Sequence, residues 1–199
     1  MPEMIRILCE GLATVLFALI CTRFLCKTMK KRNFRFVPWL PYVLTGCGSA
    51  MLFLLGRLSP WTFCGIAFLF VLLYASVQDH STHEADDILS VMMLMLAVTN
   101  ISEATVFSQL LGAAIVCGAQ MLIALCGKKR MGIGGADIKL STAAALLLGF
   151  YKGVIGFMLG LLIAVVAQLI ITHRKKEQRT QPFALLPYLS VGLWIGYLI

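Results

Sequence analysis

Met131-Gly132-Ile133-Gly134-Gly135-Ala136-Asp137-Ile138-Lys139-Leu140 is a polar interruption between two apolar runs, Thr105 to Cys126 before it and Ile138 to Tyr151 after it. A carboxylate, three glycines and a lysine here border sequence greasy enough to enter hydrocarbon. A charge so close to a bilayer interior is costly, which makes the stretch a candidate functional site. Glycine allows a tight, irregular backbone that lets another peptide come close to the carboxylate. A second acidic stretch, Asp79-His80-Ser81-Thr82-His83-Glu84-Ala85-Asp86-Asp87, breaks the apolar pattern earlier in the chain.

Working outward from these two interruptions, the chain reads as a membrane protein. Of 199 residues 60% are hydrophobic and 13% charged, which excludes an ordinary soluble domain and points to an all-α polytopic membrane protein. The net charge of +8 is not a nucleic-acid signature, because the basic residues gather in loops between apolar runs, as topology signals do. The seven cysteines form no Cys-x-x-Cys pair and lie mostly inside apolar runs, so they read as small buried hydrophobes.

Eight spans are predicted. Met4 to Leu25 is a retained first span rather than a removed signal peptide, since no small-residue cleavage site follows it. The loop from Cys26 to Phe36 holds five basic residues and no acid, which places it in the cytoplasm and the N-terminus outside. Val37 to Leu55 runs out, Trp61 to Gln78 runs in and delivers Asp79, and Ile88 to Thr99 runs out with Asp87 placed to cap it. Thr105 to Cys126 returns to the basic cluster Lys128-Lys129-Arg130. Ile138 to Tyr151, Gly153 to Thr172 and Phe183 to Ile199 complete the set, with a third basic loop from His173 to Arg179. Both termini then lie outside, and Asp79 and Asp137 share the cytoplasmic face. From Asp137 to Tyr151 is about 14 steps, or roughly 21 Å at 1.5 Å per residue. That is short of a hydrocarbon core of about 30 Å, so Asp137 is expected in a wet depression. Gly156-x-x-x-Gly160 reads as a helix-packing motif, used within the chain because seven other helices are at hand.

Two carboxylates on one membrane face suit aspartyl proteolysis: one takes a proton from water while its protonated partner donates to the scissile carbonyl. Proximity splits their titrations, because both cannot easily ionise together. Alternatives remain at this level. Asp86 and Glu84 read as solvated loop charges and Lys139 as a positive anchor or a bias on the field at Asp137. His80 and His83 with Asp86 or Asp87 match no strong metal signature, so no metal ligands are assigned.

Gly132 to Leu140 resembles the Gly-x-Gly-x-Gly-Asp-x-Lys-Leu signature of the type IV prepilin peptidases, membrane aspartyl proteases that share a Gly-x-Gly-Asp motif with presenilins. Asp79, followed by Thr82 and Asp87, is similar to that family's first aspartate stretch. Gln181-Pro182-Phe183-Ala184-Leu185-Leu186-Pro187-Tyr188-Leu189 is similar to its Pro-Phe-Gly-Pro-Phe-Leu segment near the last helix. Ala136 stands where the family has a glycine, Asp86 where it has a proline, and Ser81 where it often has a second acid. The cytoplasmic insert with paired Cys-x-x-Cys motifs, associated in larger members with N-methylation, has no counterpart in the short basic loop after Leu25.

The resemblance implies one peptidase domain over 1–199, with its catalytic core at about 61–192. It implies an endopeptidase in the cell membrane that cuts short basic leaders from prepilin-like precursors at the cytoplasmic face, after a glycine and without a cofactor. The implied dyad is Asp79 and Asp137, with Gly132, Gly134, Gly135, Lys139, Thr82 and Asp87 shaping the loop or binding substrate. The implied partners are prepilin-like substrates with a hydrophobic N-terminal helix, within the lipid bilayer. Two rival readings are a non-catalytic pilus or secretion assembly factor with this fold, and an ion-coupled transporter whose acids carry protons or cations.

Overall fold

A computed structural model describes residues 2–83, 85–101, 105–126, 134–174 and 184–199. Among them the chain forms eight α-helices: α1 (Pro2–Lys31), α2 (Leu40–Gly56), α3 (Pro60–Thr82), α4 (Asp87–Thr99), α5 (Val106–Cys126), α6 (Gly135–Leu148), α7 (Phe150–Arg174) and α8 (Leu186–Leu198). The eight predicted apolar runs each yield one helix. Four helices carry segments long and apolar enough to cross a membrane: Arg6–Lys31, Pro60–Thr82, Val106–Leu125 and Phe150–His173. The remaining four run from 13 to 17 residues.

Helix ends differ from the sequence reading in five places. α1 continues to Lys31, through most of the basic stretch expected as loop. Lysine and arginine are good helix formers, and cations suit a helix C-terminus. The helix stops at Asn33, which adopts a left-handed conformation (φ 57°). There the N–H of Asn33 bonds Lys30 and that of Phe34 bonds Met29, at 3.0 and 3.1 Å, the paired closure typical of a C-terminal cap. α3 runs one turn beyond Gln78, so Asp79 lies inside it. α4 is preceded at its cap position by Asp86 in extended backbone, while Asp87 is its first residue; the capping role expected of Asp87 falls to its neighbour's position. The α6–α7 break comes at Gly149 (φ 80°) rather than after Tyr151, because that left-handed conformation suits glycine and few other residues. Finally, α8 begins at Leu186.

The chain divides into two compact units, Met1–Val77 and Gln78–Ile199. In the first, α1 packs on α2. The hydroxyls of Thr22 and Thr45, both fully buried, meet at 2.7 Å. Each also lies 2.8 Å from the carbonyl four residues earlier in its own helix, so whichever hydroxyl donates across, the other donates back. α1 turns Leu8, Leu12, Leu16, Ile20 and Phe24 outward at steps of four. Such an exposed apolar stripe on a long helix is a lipid-facing surface.

In the second unit α5, α6 and α7 pack on one another, α4 packs on α6, and α8 packs on α7. Val116, Ala145, Phe157 and Leu189 meet at the centre. α7 and α8 approach so closely that a methyl group on Gly192 would collide with the backbone of Gly156 and Gly160. The Gly156-x-x-x-Gly160 motif therefore packs within the chain, as read from the sequence, and its partner is Gly192 on α8. Small residues let helix backbones touch where lipid supplies no hydrophobic drive.

Candidate active site

Asp79 comes from the last turn of α3. That turn is closed by Thr82, whose hydroxyl donates to the Gln78 carbonyl at 2.9 Å. The His83 N–H donates to the Asp79 carbonyl at 2.9 Å, with His83 itself left-handed (φ 54°). Asp79 is only 5% exposed. Its Oδ2 accepts the backbone N–H of Leu186 at 2.9 Å. Leu186 opens α8, so this N–H is one of the donors that a helix N-terminus leaves unpaired. Pro187 has no N–H to satisfy, and those of Tyr188 and Leu189 reach the Leu185 carbonyl. Asp79 thus caps α8 from another helix.

Asp137 is the third residue of α6, behind the cap residue Gly134. Its side chain folds back over the backbone N–H of Gly134, the reciprocal arrangement in which a third-position acid satisfies the cap N–H. A methyl group on Gly134 would stand 3.3 Å from Asp137 Oδ2, so glycine there serves close approach. Gly134 needs no special backbone conformation, with φ at −62°. A side chain at Gly135 would meet nothing within 4 Å. Gly132 lies outside the described residues, as do Glu84, the basic cluster Lys128 to Arg130 and Gln181 to Phe183.

Both carboxylates are therefore buried at helix N-termini, where the helix dipole favours negative charge. The charge of Asp79 also acts on Asp137. Burial first, and then the charge of Asp79, push the Asp137 carboxyl up to about 7, against the pull of the Gly134 N–H. A buried acid held near neutrality beside a second carboxylate is the electrostatic arrangement in which two acids share one proton.

Behind Asp137 runs a chain of hydrogen bonds that the sequence reading missed. The Ser141 hydroxyl donates to the Asp137 carbonyl at 2.6 Å, and the side-chain amide of Gln120 on α5 donates to the Ser141 oxygen. Gln120 and Ser141 are both fully buried. A glutamine in the middle of an apolar helix was the available signal. The Leu186 N–H had none, because a backbone donor leaves no mark on composition.

The other predicted site residues spread around this centre. Lys139 Nζ meets Asp87 Oδ1 at 2.8 Å, with both side chains more than half exposed. This pair lies at one end of a cleft of about 380 Å³ between α4 and α6, lined below it by Val91, Leu94, Ala143 and Leu146. Thr82 is exposed, three residues past Asp79. Among the described residues no group of three or more His, Cys, Asp and Glu could hold a metal ion.

Helices long enough to cross a bilayer, and two buried carboxylates of which one is raised by the charge of the other, define a membrane protein with a candidate acid pair. Residues 66–172 match the sequence model of the type IV leader peptidase family, a stretch that includes both aspartates, and the chain belongs to that family. By that membership it is of the protease class. The match ends before α8, so the likeness of Gln181 to Leu189 to the family's late segment lies outside it. Comparison with curated proteins and with solved structures gives no match.

Proposed function

We propose that the protein is a membrane aspartyl endopeptidase that removes short basic leaders from prepilin-like precursors, with Asp79 and Asp137 as its catalytic pair. The observation that supports this reading is the burial of both aspartates within the family-matched stretch, with the charge of Asp79 among the causes that raise the Asp137 carboxyl. The proton belongs to the pair rather than to either residue. The ionised partner takes a proton from a water molecule as that water attacks the scissile carbonyl carbon. The protonated partner gives its proton to the carbonyl oxygen. The resulting gem-diol collapses: one of its hydroxyls returns a proton to the carboxylate that gave one to the carbonyl oxygen, the C–N bond breaks, and the departing amine takes the proton that the other carboxylate drew from water, so the pair ends with one proton as it began.

The cut falls after a glycine, just ahead of the substrate's hydrophobic helix, and the leader stays on the cytoplasmic side of the cell membrane. The clustering of basic residues at 27–35, 128–130 and 174–179 of the sequence supports this orientation, with both termini outside. The apolar cleft that runs down α4 and α6 from the Asp87–Lys139 pair supports entry of a substrate helix from the bilayer.

Co-expression with a prepilin-like precursor, followed by a gel shift and N-terminal sequencing of the product, tests the reading. Wild type yields a product beginning after a glycine, and Asp79→Asn and Asp137→Asn each yield none. Cleavage surviving either change removes that carboxylate from the pair. Assembly that proceeds normally with both changes in place favours the assembly-factor reading, and proton flux in liposomes lost with either acid favours the transporter.

A further inference from the structure

Gln120 lies in the apolar middle of α5, and its full amide side chain is completely buried. Hydrogen-bonding groups placed in a membrane interior are expensive and are held where they have a task. Here the task is visible. Gln120 donates to the Ser141 hydroxyl, which points its own proton at the Asp137 carbonyl and lies 3.3 Å from the Ile138 carbonyl. These two carbonyls belong to the first turn of α6, the turn that carries the Asp137 carboxylate. A serine bonded back to its own helix competes with the regular ladder and bends the helix unless a further donor fixes its rotamer. Gln120 is that donor, and it reaches across from a different helix.

Further along α6, Ala143, Ala144 and Ala145 are buried, small and apolar. We infer that Gln120 and Ser141 form a two-residue clamp from α5 to the first turn of α6 that sets the position of the Asp137 carboxylate. They are positioning residues and touch no substrate. This rests on the reading of Asp137 as a member of the catalytic pair.

The clamp acts through a common atom, Ser141 Oγ, which accepts from Gln120 and donates to the Asp137 carbonyl, so its two members work as one unit. With a purified precursor and the full-length enzyme in detergent or liposomes, Gln120→Met, which keeps the volume and loses the donor, lowers kcat about tenfold and leaves KM within about twofold. Misplacement of a catalytic group by a fraction of an ångström has effects of that order. Ser141→Ala gives the same loss, Ser141→Thr, which keeps the hydroxyl, restores most of kcat, and the double variant Gln120→Met/Ser141→Ala is no worse than the poorer single one. The alkaline limb of the kcat profile moves in both single variants, because the environment of Asp137 has changed. Wild-type kcat in Gln120→Met, or losses that multiply in the double variant, overturn the inference. If Gln120→Met does not accumulate in the membrane, the contrast between Ser141→Ala and Ser141→Thr decides alone: equal kcat in the two overturns it. Asp137→Asn run beside them keeps the two levels apart. Cleavage by that variant defeats the reading of the pair, whereas its inactivity with a fully active Gln120→Met defeats only the clamp.

Discussion

In the proposed reaction Asp137 ties the chemistry to pH. Its carboxyl is raised in the folded protein to about 7 from a usual value near 3.8, so the folded state holds a proton that the unfolded chain releases. The stability this proton confers is complete below the ordinary carboxylate range and is lost progressively until pH has risen through about 7. Between those limits stability falls as pH rises. Cleavage by the wild-type enzyme should therefore decline as pH passes upward through about 7, where the pair loses its shared proton. In the same window Asp137→Asn, which never ionises, should gain on wild type in thermal stability, by a few kcal/mol between pH 5 and pH 8. Melting curves of the detergent-solubilised proteins at the two pH values check the sign. A difference that moves in favour of wild type as pH rises would show that burial does not oppose ionisation of Asp137. The two aspartates could be picked from the sequence as candidates because an acid beside an apolar run stands out. Gln120 and Ser141 were not, because an amide or a hydroxyl in a helix has many ordinary uses and only the fold brings those two side chains together.

At the level of elements, the number of helices followed from the apolar runs, and their ends did not. Charge was read as loop at Lys27, Lys30 and Lys31, where the helix simply continued until Asn33 supplied a left-handed stop. Tyr151 was read as the outer end of a span, yet the backbone turned at Gly149. In both cases a backbone conformation outweighed composition. The same scale shows a second use for Asp79, as the cap of α8. This use and catalysis separate by substitution. Asp79→Asn keeps an oxygen for the Leu186 N–H and loses the acid, whereas Asp79→Ala loses both. Both variants should be inactive, with Asp79→Ala the less stable of the two by about 1 kcal/mol, the usual worth of a cap. Equal melting temperatures for the two would mean that α8 does not depend on the carboxylate.

Across the whole molecule long and short helices alternate. α1, α3, α5 and α7 have 30, 23, 21 and 25 residues, and α2, α4, α6 and α8 have 17, 13, 14 and 13. A helix of 13 or 14 residues rises about 20 Å and leaves about 10 Å of a hydrocarbon core of about 30 Å unspanned. α6 is shorter still beyond its acid, since only about 16 Å separates Asp137 from Leu148 at 1.5 Å per residue. Three of the short helices, α4, α6 and α8, begin at Asp87, Gly135 and Leu186, around the candidate site. Their missing length, if taken at these ends, leaves a water-filled recess there, as buried polar backbone at membrane depth requires. A spin label at Ala136 in liposomes should accordingly meet water-soluble relaxation agents, though less freely than a label at the exposed turn residue Asn33. Accessibility equal to that at Asn33 would place Asp137 at the open surface and remove the recess.

The bond between Asp79 and the Leu186 N–H joins residues 107 positions apart in the chain. During synthesis at about 5–20 residues per second, the ribosome adds Leu186 roughly 5–20 s after Asp79. Throughout that interval the carboxylate sits in a half-built protein without the donor that holds it, and α8 does not yet exist to be held. The acid pair consequently matures late in the enzyme's own manufacture, and a nascent chain passing its neighbours in the membrane has the two acids in place before it has the helix that fixes one of them.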